Sequence, residues 1–315
     1  MAANNDDVQD GSIQDIVPNG DIVLVIEQEG KTTRLRAHSQ NLISASGVFR
    51  DMIGTICRKD PNPFEGSLLK DIPLDGVDAD AIYTVCCVIH HRNDLVPETI
   101  GSYQVLQITI AAAKYDFCVA LTYARASWLQ SNDTDDPQIL AYLMTAAHIF
   151  GDQKKFIEKS QALMLRYSDS YMVLLNDETL RKVMPSHVPG VLEEQRARLR
   201  AEVLEILVVG TKRSSCGWRK SRRDEFTSLL SKYSPLQMLK HPVSTVLEEI
   251  RRFLLLNDDE PQRCSGGFQW HATSGDLRQF DEKIRQAYQN ATICFDHGFG
   301  ARGSNSSAES EEIDG

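Results

Sequence analysis

The chain has 315 residues and a formal net charge of −10, and its 42% hydrophobic and 25% charged residues are typical of a folded globular protein. The acidic excess argues against a general nucleic-acid coat protein. No apolar run approaches the ~18 residues that a membrane-spanning helix needs. The charge is concentrated in two acidic ends, so we expect disordered acidic tails at 1–17 and 298–315 around a nearly neutral folded body.

The first residues, MAANNDDVQDGS, are polar and acidic, unlike a secretory signal or an arginine-rich transit peptide. We therefore expect the protein in the cytoplasm, the nucleus or both. In a reducing compartment its seven cysteines are expected to be thiols or metal ligands and not disulfides.

The segment after the first tail predicts a β-hairpin. Residues 22–26 are a run of aliphatic residues rich in β-branched side chains, and Glu29-Gly30 is a turn signal before a second strand-like stretch. Residues 21–38 are thus predicted to form the hairpin. A helix capped by Ser39 and reaching Phe49 should follow, and then a short strand at 71–74 whose proline places it near a sheet edge.

The remaining pattern is helical. Asp78 or Asp80 begins one predicted helix, and Ser102 begins a longer one that is broken near Asp116. A polar hinge at 131–137 leads to further helices, the clearest at 191–208, and no strand is predicted from residue 131 to about 295. The sequence therefore predicts an α+β chain, with a small domain at 18–130 and an all-helical domain at 131–297.

The order and spacing of several segments over residues 20–129 carry a resemblance to a known family. The segments are Gly20-Asp-Ile-Val-Leu-Val, Leu35-Arg-Ala-His-Ser-Gln-Asn-Leu-Ile-Ser-Ala-Ser-Gly-Val-Phe, Phe64-Glu-Gly, Asp71-Ile-Pro-Leu, Ile89-His-His-Arg, Val96-Pro97, Ala111-Ala-Ala-Lys-Tyr-Asp and Ser127-Trp128-Leu129. In this respect the chain resembles the BTB/POZ family, and in detail the fungal proteins with a single BTB domain. LMTAAHIFGDQKKF, at 143–156, resembles the helical region that follows BTB in those proteins.

The resemblance implies a helical cluster with a short sheet, a surface for self-association and no catalysis. It implies a homodimeric adaptor for protein–protein interaction, with an unknown client protein and a cullin-type ubiquitin ligase as candidate partners. A nuclear regulatory or chromatin-associated BTB protein without a ligase role is the alternative. Many animal BTB domains pair the first-strand acid with a base after the Ala-His segment. Here Asp21 is present but Ser39 follows His38, so that charged pocket does not carry over.

Under this resemblance the hairpin and the helix at 40–50 lie at or beside the dimer interface. Leu42, Val48 and Phe49 are the candidate interface residues, with core positions as the alternative. Replacement of an exposed apolar residue in 40–50 by a charged residue should then give a folded monomer.

Two groups of cysteine and histidine are candidates for chemistry. Cys86, Cys87, His90 and His91 form two i,i+4 pairs that suit metal binding or a thiol–imidazole nucleophile, but apolar neighbours favour a core helix. Neither a nucleophile elbow nor a phosphate-binding loop nor a zinc-protease motif occurs in the sequence, so we predict no enzyme and no catalytic residue.

The second group is a set of candidate ligands for a structural zinc, namely Cys216, Cys264, Cys294 and His297. The spacing of the last two is common in zinc sites, but scattered thiols are the alternative, and no cofactor is required. The basic stretch KRSSCGWRKSRR at 212–223 suits a nuclear localisation signal or a phosphate-contacting patch. A solvated loop is the favoured interpretation, and nucleic acid is not an expected partner.

Overall fold

A computed structural model describes residues 13–59, 69–130, 134–212, 217–256 and 274–290. It confirms the α+β class: a four-stranded mixed sheet lies near the N-terminus, and helices follow it. The chain divides into two compact units, Met1–Phe156 and Ile157–Gly315. Among the described residues, no helix combines the length and apolar character needed to cross a membrane.

The sheet is built around the predicted hairpin. Its strands are β1 (Ile13–Asp15), β2 (Ile22–Gln28), β3 (Lys31–Ala37) and β4 (Lys70–Leu74). The strand order is β1-β3-β2-β4, with β2 antiparallel to β3 and both outer pairings parallel. The edge position predicted for the strand with Pro73 is confirmed, since an edge tolerates a residue without an N–H.

The expected tail at 1–17 extends too far into the fold. Residues 13–15 form β1 on the outer side of β3, and Ile16 is fully buried. Residues 1–12 and 291–315, which include most of the expected tails, lie outside the described residues.

Two glycines fix the hairpin geometry. Glu29 and Gly30 have φ of 51° and 80°, and two left-handed residues make the kind of turn whose twist matches that of the strands. At the base of the hairpin, a Cβ on Gly20 would lie 2.6 Å from the Ala37 carbonyl oxygen. Only glycine therefore permits this close approach of the two chains.

The first unit also contains helices. They are α1 (Ser39–Ala45), α2 (Gly47–Lys59), α3 (Ala79–Ile89), α4 (Ser102–Lys114), α5 (Thr122–Trp128) and α6 (Pro137–Ile149), with a 3-10 turn at Asn93–Leu95. α7 (Gln153–Arg166) contains the division between the units. Fully buried side chains of strands and helices form the core, among them Ile22, Leu24, Ile26, Leu35, Leu42, Phe49, Val85, Ile108 and Phe117.

The expected boundary at 130 lies inside the first unit, because α6 packs on α4. Tyr142 of α6 meets Tyr103 of α4 edge-on, with ring centroids 5.5 Å apart. At the end of α6, Arg125 of α5 donates a hydrogen bond of 2.5 Å to the Phe150 carbonyl. The described helices on either side of the expected boundary therefore pack in one unit.

The prediction of one helix from Ser39 to Phe49 is wrong. Ser46 is extended, with φ −144° and ψ 126°, and separates α1 from α2. Its Oγ accepts a hydrogen bond from the Phe49 backbone N–H at 2.9 Å and donates one to the Tyr115 carbonyl at 2.6 Å. The serine thereby caps a new helix and anchors it to the end of α4.

The other predicted helix starts are close to the observed ones. Ser39 is the first residue of α1 and not its cap, and its N–H and hydroxyl both donate to the Asp21 carboxylate, at 2.7 and 2.6 Å. Asp78 caps α3 by accepting from the Ala81 N–H at 2.8 Å. The break predicted near Asp116 is confirmed, since this residue has φ 57° just beyond α4.

In the second unit every regular element of the described residues is helical, as predicted. Its helices beyond α7 are α8 (Glu178–Val183), α9 (Val188–Lys212), α10 (Gly217–Lys232), α11 (Pro235–Met238), α12 (Val243–Leu256) and α13 (Ser274–Asn290), with a 3-10 segment at Tyr171–Asn176. α9 begins three residues before the predicted 191, because Pro189 is compatible with a first helical turn.

Buried arginines of α9 hold the loops of this unit. Arg196 is 2% exposed, donates to the carbonyls of Tyr167 and Asp169 at 2.8 Å, pairs with Glu193 and lies 4.2 Å from the centre of the Tyr171 ring. One turn later, buried Arg200 donates to the Leu239 carbonyl at 3.1 Å. These guanidinium groups replace water as partners of carbonyls that no helix satisfies.

Candidate interaction surface

The cysteine–histidine cluster lies at the C-terminal end of α3 and is mostly buried. Cys86, Cys87 and His90 are almost inaccessible, whereas His91 is exposed. Burial raises the pKa of the Cys86 thiol well above its ordinary value, and burial is also the first cause of the raised Cys87 pKa. Both thiols are therefore protonated at neutral pH, and a protonated thiol is a poor nucleophile and metal ligand.

The backbone at the end of α3 explains why two histidines stand there. His91 has φ 61°, its N–H donates to the Val88 carbonyl at 3.1 Å, and the Arg92 N–H donates to the Cys87 carbonyl at 2.8 Å. This is a Schellman motif in which a histidine occupies the left-handed position usually held by glycine. His90 precedes that position and its side chain is buried. The two histidines therefore stand where the helix ends, which agrees with the interpretation of this cluster as part of a core helix.

The candidate zinc ligands lie outside the residues that the structure describes, so the zinc site stays a prediction. They are Cys216, Cys264, Cys294 and His297. Within the described ranges, no cluster of three or more histidine, cysteine, aspartate or glutamate side chains is arranged to hold a metal ion. The basic stretch at 212–223 is not a loop throughout, because 217–223 form the first turns of α10.

The three candidate interface residues divide into two classes. Leu42 and Phe49 are fully buried in the core of the first unit, and Phe49 packs against the rings of Tyr115 and Phe117 at 5.5 and 5.3 Å. This burial assigns both to the core, the alternative that the sequence left open. Val48 is partly exposed and remains a candidate for contact with a partner.

Val48 belongs to a partly exposed apolar stripe on α2. Met52 and Ile56 follow it at i+4 and i+8, so the three side chains lie on one face of the helix, and each is partly exposed. Phe49 and Ile53 form the adjacent buried face. We call Val48, Met52 and Ile56 the α2 stripe.

Among the described residues of the first unit, the most exposed large apolar side chains are those of Val119 and Tyr123, which are 82% and 93% exposed. They are four residues apart along a turn that leads into α5, where the Thr122 N–H donates to the Val119 carbonyl at 3.2 Å. This turn begins near the first residue of α2, because the Gly47 N–H donates to the Asp116 carboxylate at 3.2 Å. We call Val119 and Tyr123 the exposed pair.

The exposed pair was not predicted from the sequence. Beyond the break near Asp116 the sequence indicates helix, but helical spacing there does not by itself report which side chains face the core. A signal exists: Leu121 and Leu129 are the buried positions, whereas Tyr123 shares the exposed side with Ala126 and Ser127. An aromatic residue on the polar side of an amphipathic helix marks a side chain that has no place in the core.

The second unit contains a groove between α12 and α13 with a cavity volume of about 530 Å³. Leu247, Ile284 and Tyr288 supply its apolar lining, and Arg251 and Asp281 form an ion pair of 3.2 Å beside it. The two charges of that pair compensate each other at the rim. The groove therefore suits an apolar side chain better than a charged ligand.

Comparison of the chain with protein-family models gave no match, and comparison with curated proteins gave none either.

Proposed function

We propose that this chain is a non-enzymatic protein–protein interaction adaptor that associates with a second copy of itself through the first unit. The surface we assign to this contact comprises the exposed pair and the neighbouring N-terminal end of the α2 stripe. The observation that carries the proposal is the near-complete exposure of Val119 and Tyr123 in the segment after Asp116, whose carboxylate bonds Gly47, the residue before partly exposed Val48. Large apolar side chains that stand together in solvent mark interaction sites.

The chemistry of the first unit supports binding over catalysis. The Cys86 and Cys87 thiols are buried and protonated, whereas the apolar side chains of the exposed pair are accessible. The BTB resemblance supports the same function, since it places a dimer contact around the hairpin and the helices at 40–50. From the same resemblance we propose that the adaptor binds a client protein through the helical domain at 131–297 and presents it to a cullin-type ubiquitin ligase.

The test compares one substitution at two exposed valines. Val119→Glu changes the proposed contact, and Val173→Glu is the matched control, because Val173 is 48% exposed on the second unit. An apolar side chain buried on association contributes about 1.5–3 kcal/mol, and burial of an unpaired carboxylate opposes association further. We therefore expect Val119→Glu to raise the dimer dissociation constant at least about tenfold, as measured by sedimentation velocity.

Both variants should keep the circular dichroism spectrum and melting temperature of the wild-type protein, because neither side chain is in the core. If Val119→Glu and Val173→Glu dimerise equally well, the exposed pair is not part of the contact. Val48→Asp then tests the α2 stripe by itself, and a dimer that survives both changes contradicts the proposed surface.

A further inference from the structure

His90 joins the end of α3 to the start of α1 through both nitrogens of its ring. Nδ1 lies 2.8 Å from the Cys86 carbonyl oxygen, one turn earlier in α3. Nε2 lies 3.0 Å from the backbone nitrogen of His38, the N-cap residue of α1. A weaker bond of 3.5 Å from Asn41 Nδ2 to the Ile89 carbonyl joins the same two helices.

The two partners dictate the protonation state of the ring. A carbonyl oxygen only accepts, so Nδ1 carries the hydrogen, and a backbone N–H only donates, so Nε2 is bare. His90 is therefore neutral in this arrangement. A proton on Nε2 would set two donors against each other at 3.0 Å and place a cation in a nearly closed site. The contact with His38 cannot persist in that state.

The ionisable groups around the ring give a proton on Nε2 little direct support. On α3 and the loop after it these groups are Tyr83, Cys86, Cys87, exposed His91 and the ion pair of Arg92 with Asp94, which is 2.9 Å long. On the side of α1 the His38 ring stacks on His90, with centroids 6.3 Å apart. The acid on that side, Asp21, accepts from the N–H and hydroxyl of Ser39, and its carboxylate also lies 4.0 Å from Nδ1 of His38.

We propose that His90 is a proton-operated latch, which holds α3 to the start of α1 when its ring is neutral and releases it when Nε2 is protonated. This inference goes beyond the proposed function and does not depend on it, because the latch lies within one copy of the first unit.

The direction of the pH effect follows from the burial of the ring. Burial is the first cause that lowers the His90 pKa below its ordinary value, so the latch is closed at neutral pH. An exposed histidine in the open state titrates near 6.5. As the pH falls below that value, His90 is protonated in the open state but stays neutral in the closed state. The ratio of closed to open protein then falls by up to about tenfold per pH unit, until the pH reaches the lowered pKa of the closed state.

The test measures hydrogen exchange at the His38 amide in the full-length protein between about pH 8 and pH 5, corrected for the intrinsic exchange rate. We expect its protection in the wild-type protein to fall with pH by up to about tenfold per unit below 6.5. His90→Gln retains an acceptor for the His38 N–H and has no titratable ring, so its protection should not change with pH. His91→Gln removes the exposed neighbouring histidine and should behave like the wild type.

The comparison isolates the contribution of His90, because a pH dependence from any other source would persist in His90→Gln. Equal pH dependence in the wild type and His90→Gln overturns the latch. Should His90→Gln fail to fold, imidazole ¹⁵N shifts of the wild-type protein decide the question. The latch requires a neutral His90 with hydrogen on Nδ1 at pH 7, and hydrogen on Nε2 would overturn it.

Discussion

Removal of the Ser46 hydroxyl should be among the most damaging single-atom changes in the first unit. Ser46 is 2% exposed, and its Oγ both accepts from the Phe49 N–H and donates to the Tyr115 carbonyl. Ser46→Ala removes a helix cap, which costs about 0.5–2 kcal/mol, and leaves a buried donor and a buried acceptor without this partner, at about 1–3 kcal/mol. These effects overlap, so we expect a loss of about 2–4 kcal/mol in the free energy of unfolding of the first unit.

The matched control is Ser44→Ala, two residues away. Ser44 is exposed, and its Oγ donates to the Gln40 carbonyl at 2.8 Å within α1, so its removal should change stability by less than about 0.5 kcal/mol. Unfolding of the first unit alone can be followed by alkylation of buried Cys86 and Cys87 at increasing urea concentration, with the peptide read by mass spectrometry. Ser46→Ala should lower the midpoint by about 1–2 M urea. Equal midpoints for the two variants would refute the assignment of Ser46 as the residue that starts α2.

Two further substitutions test helix ends and buried charge. His91→Gly should stabilise the first unit by about 0.5–1 kcal/mol in the same urea assay, because glycine adopts the left-handed conformation of this position without strain. A loss of stability would mean that the His91 side chain makes a contact that outweighs the strain. Arg196→Met should lower the free energy of unfolding of the second unit by about 3 kcal/mol, as measured by circular dichroism in urea. The substitution removes the ion-pair partner of Glu193 and the donor to two carbonyls. Exposed Arg198→Met, whose partner is Glu194 on the same helix, should cost less than about 0.5 kcal/mol; equal losses would contradict the role of the buried arginine.

Local patterns in the sequence were sufficient for the elements whose cause is local. The hairpin follows from the aliphatic run of β2 and the turn at Glu29-Gly30, and α3 begins after Asp78 because its carboxylate accepts from the Ala81 N–H. The division of residues 39–59 into α1 and α2 has a distant cause. Ser46 is held by Tyr115, 69 residues later, and neither helical spacing nor propensity reports such a contact.

The candidate surface was less predictable than the fold for a similar reason. Leu42, Val48 and Phe49 are alike in hydrophobicity and lie within one stretch of eight residues, but only Val48 reaches the surface. Which apolar residue faces outward depends on where the helix break falls, and that break was not predicted. The role of the buried arginines of α9 was likewise not predictable. Arg196 and exposed Arg198 are the same residue type on one helix, and they differ in their burial and in their contacts with carbonyl groups.

The most direct test of the proposed self-association is the mass of the full-length wild-type protein in solution, measured by native mass spectrometry over a range of micromolar concentrations. We expect a dimer whose fraction rises with concentration. We also expect hydrogen exchange at 115–123 and in the first turns of α2 to slow only in the dimer. A protein that stays monomeric throughout this range, with no change in exchange at those residues, would contradict the proposed self-association.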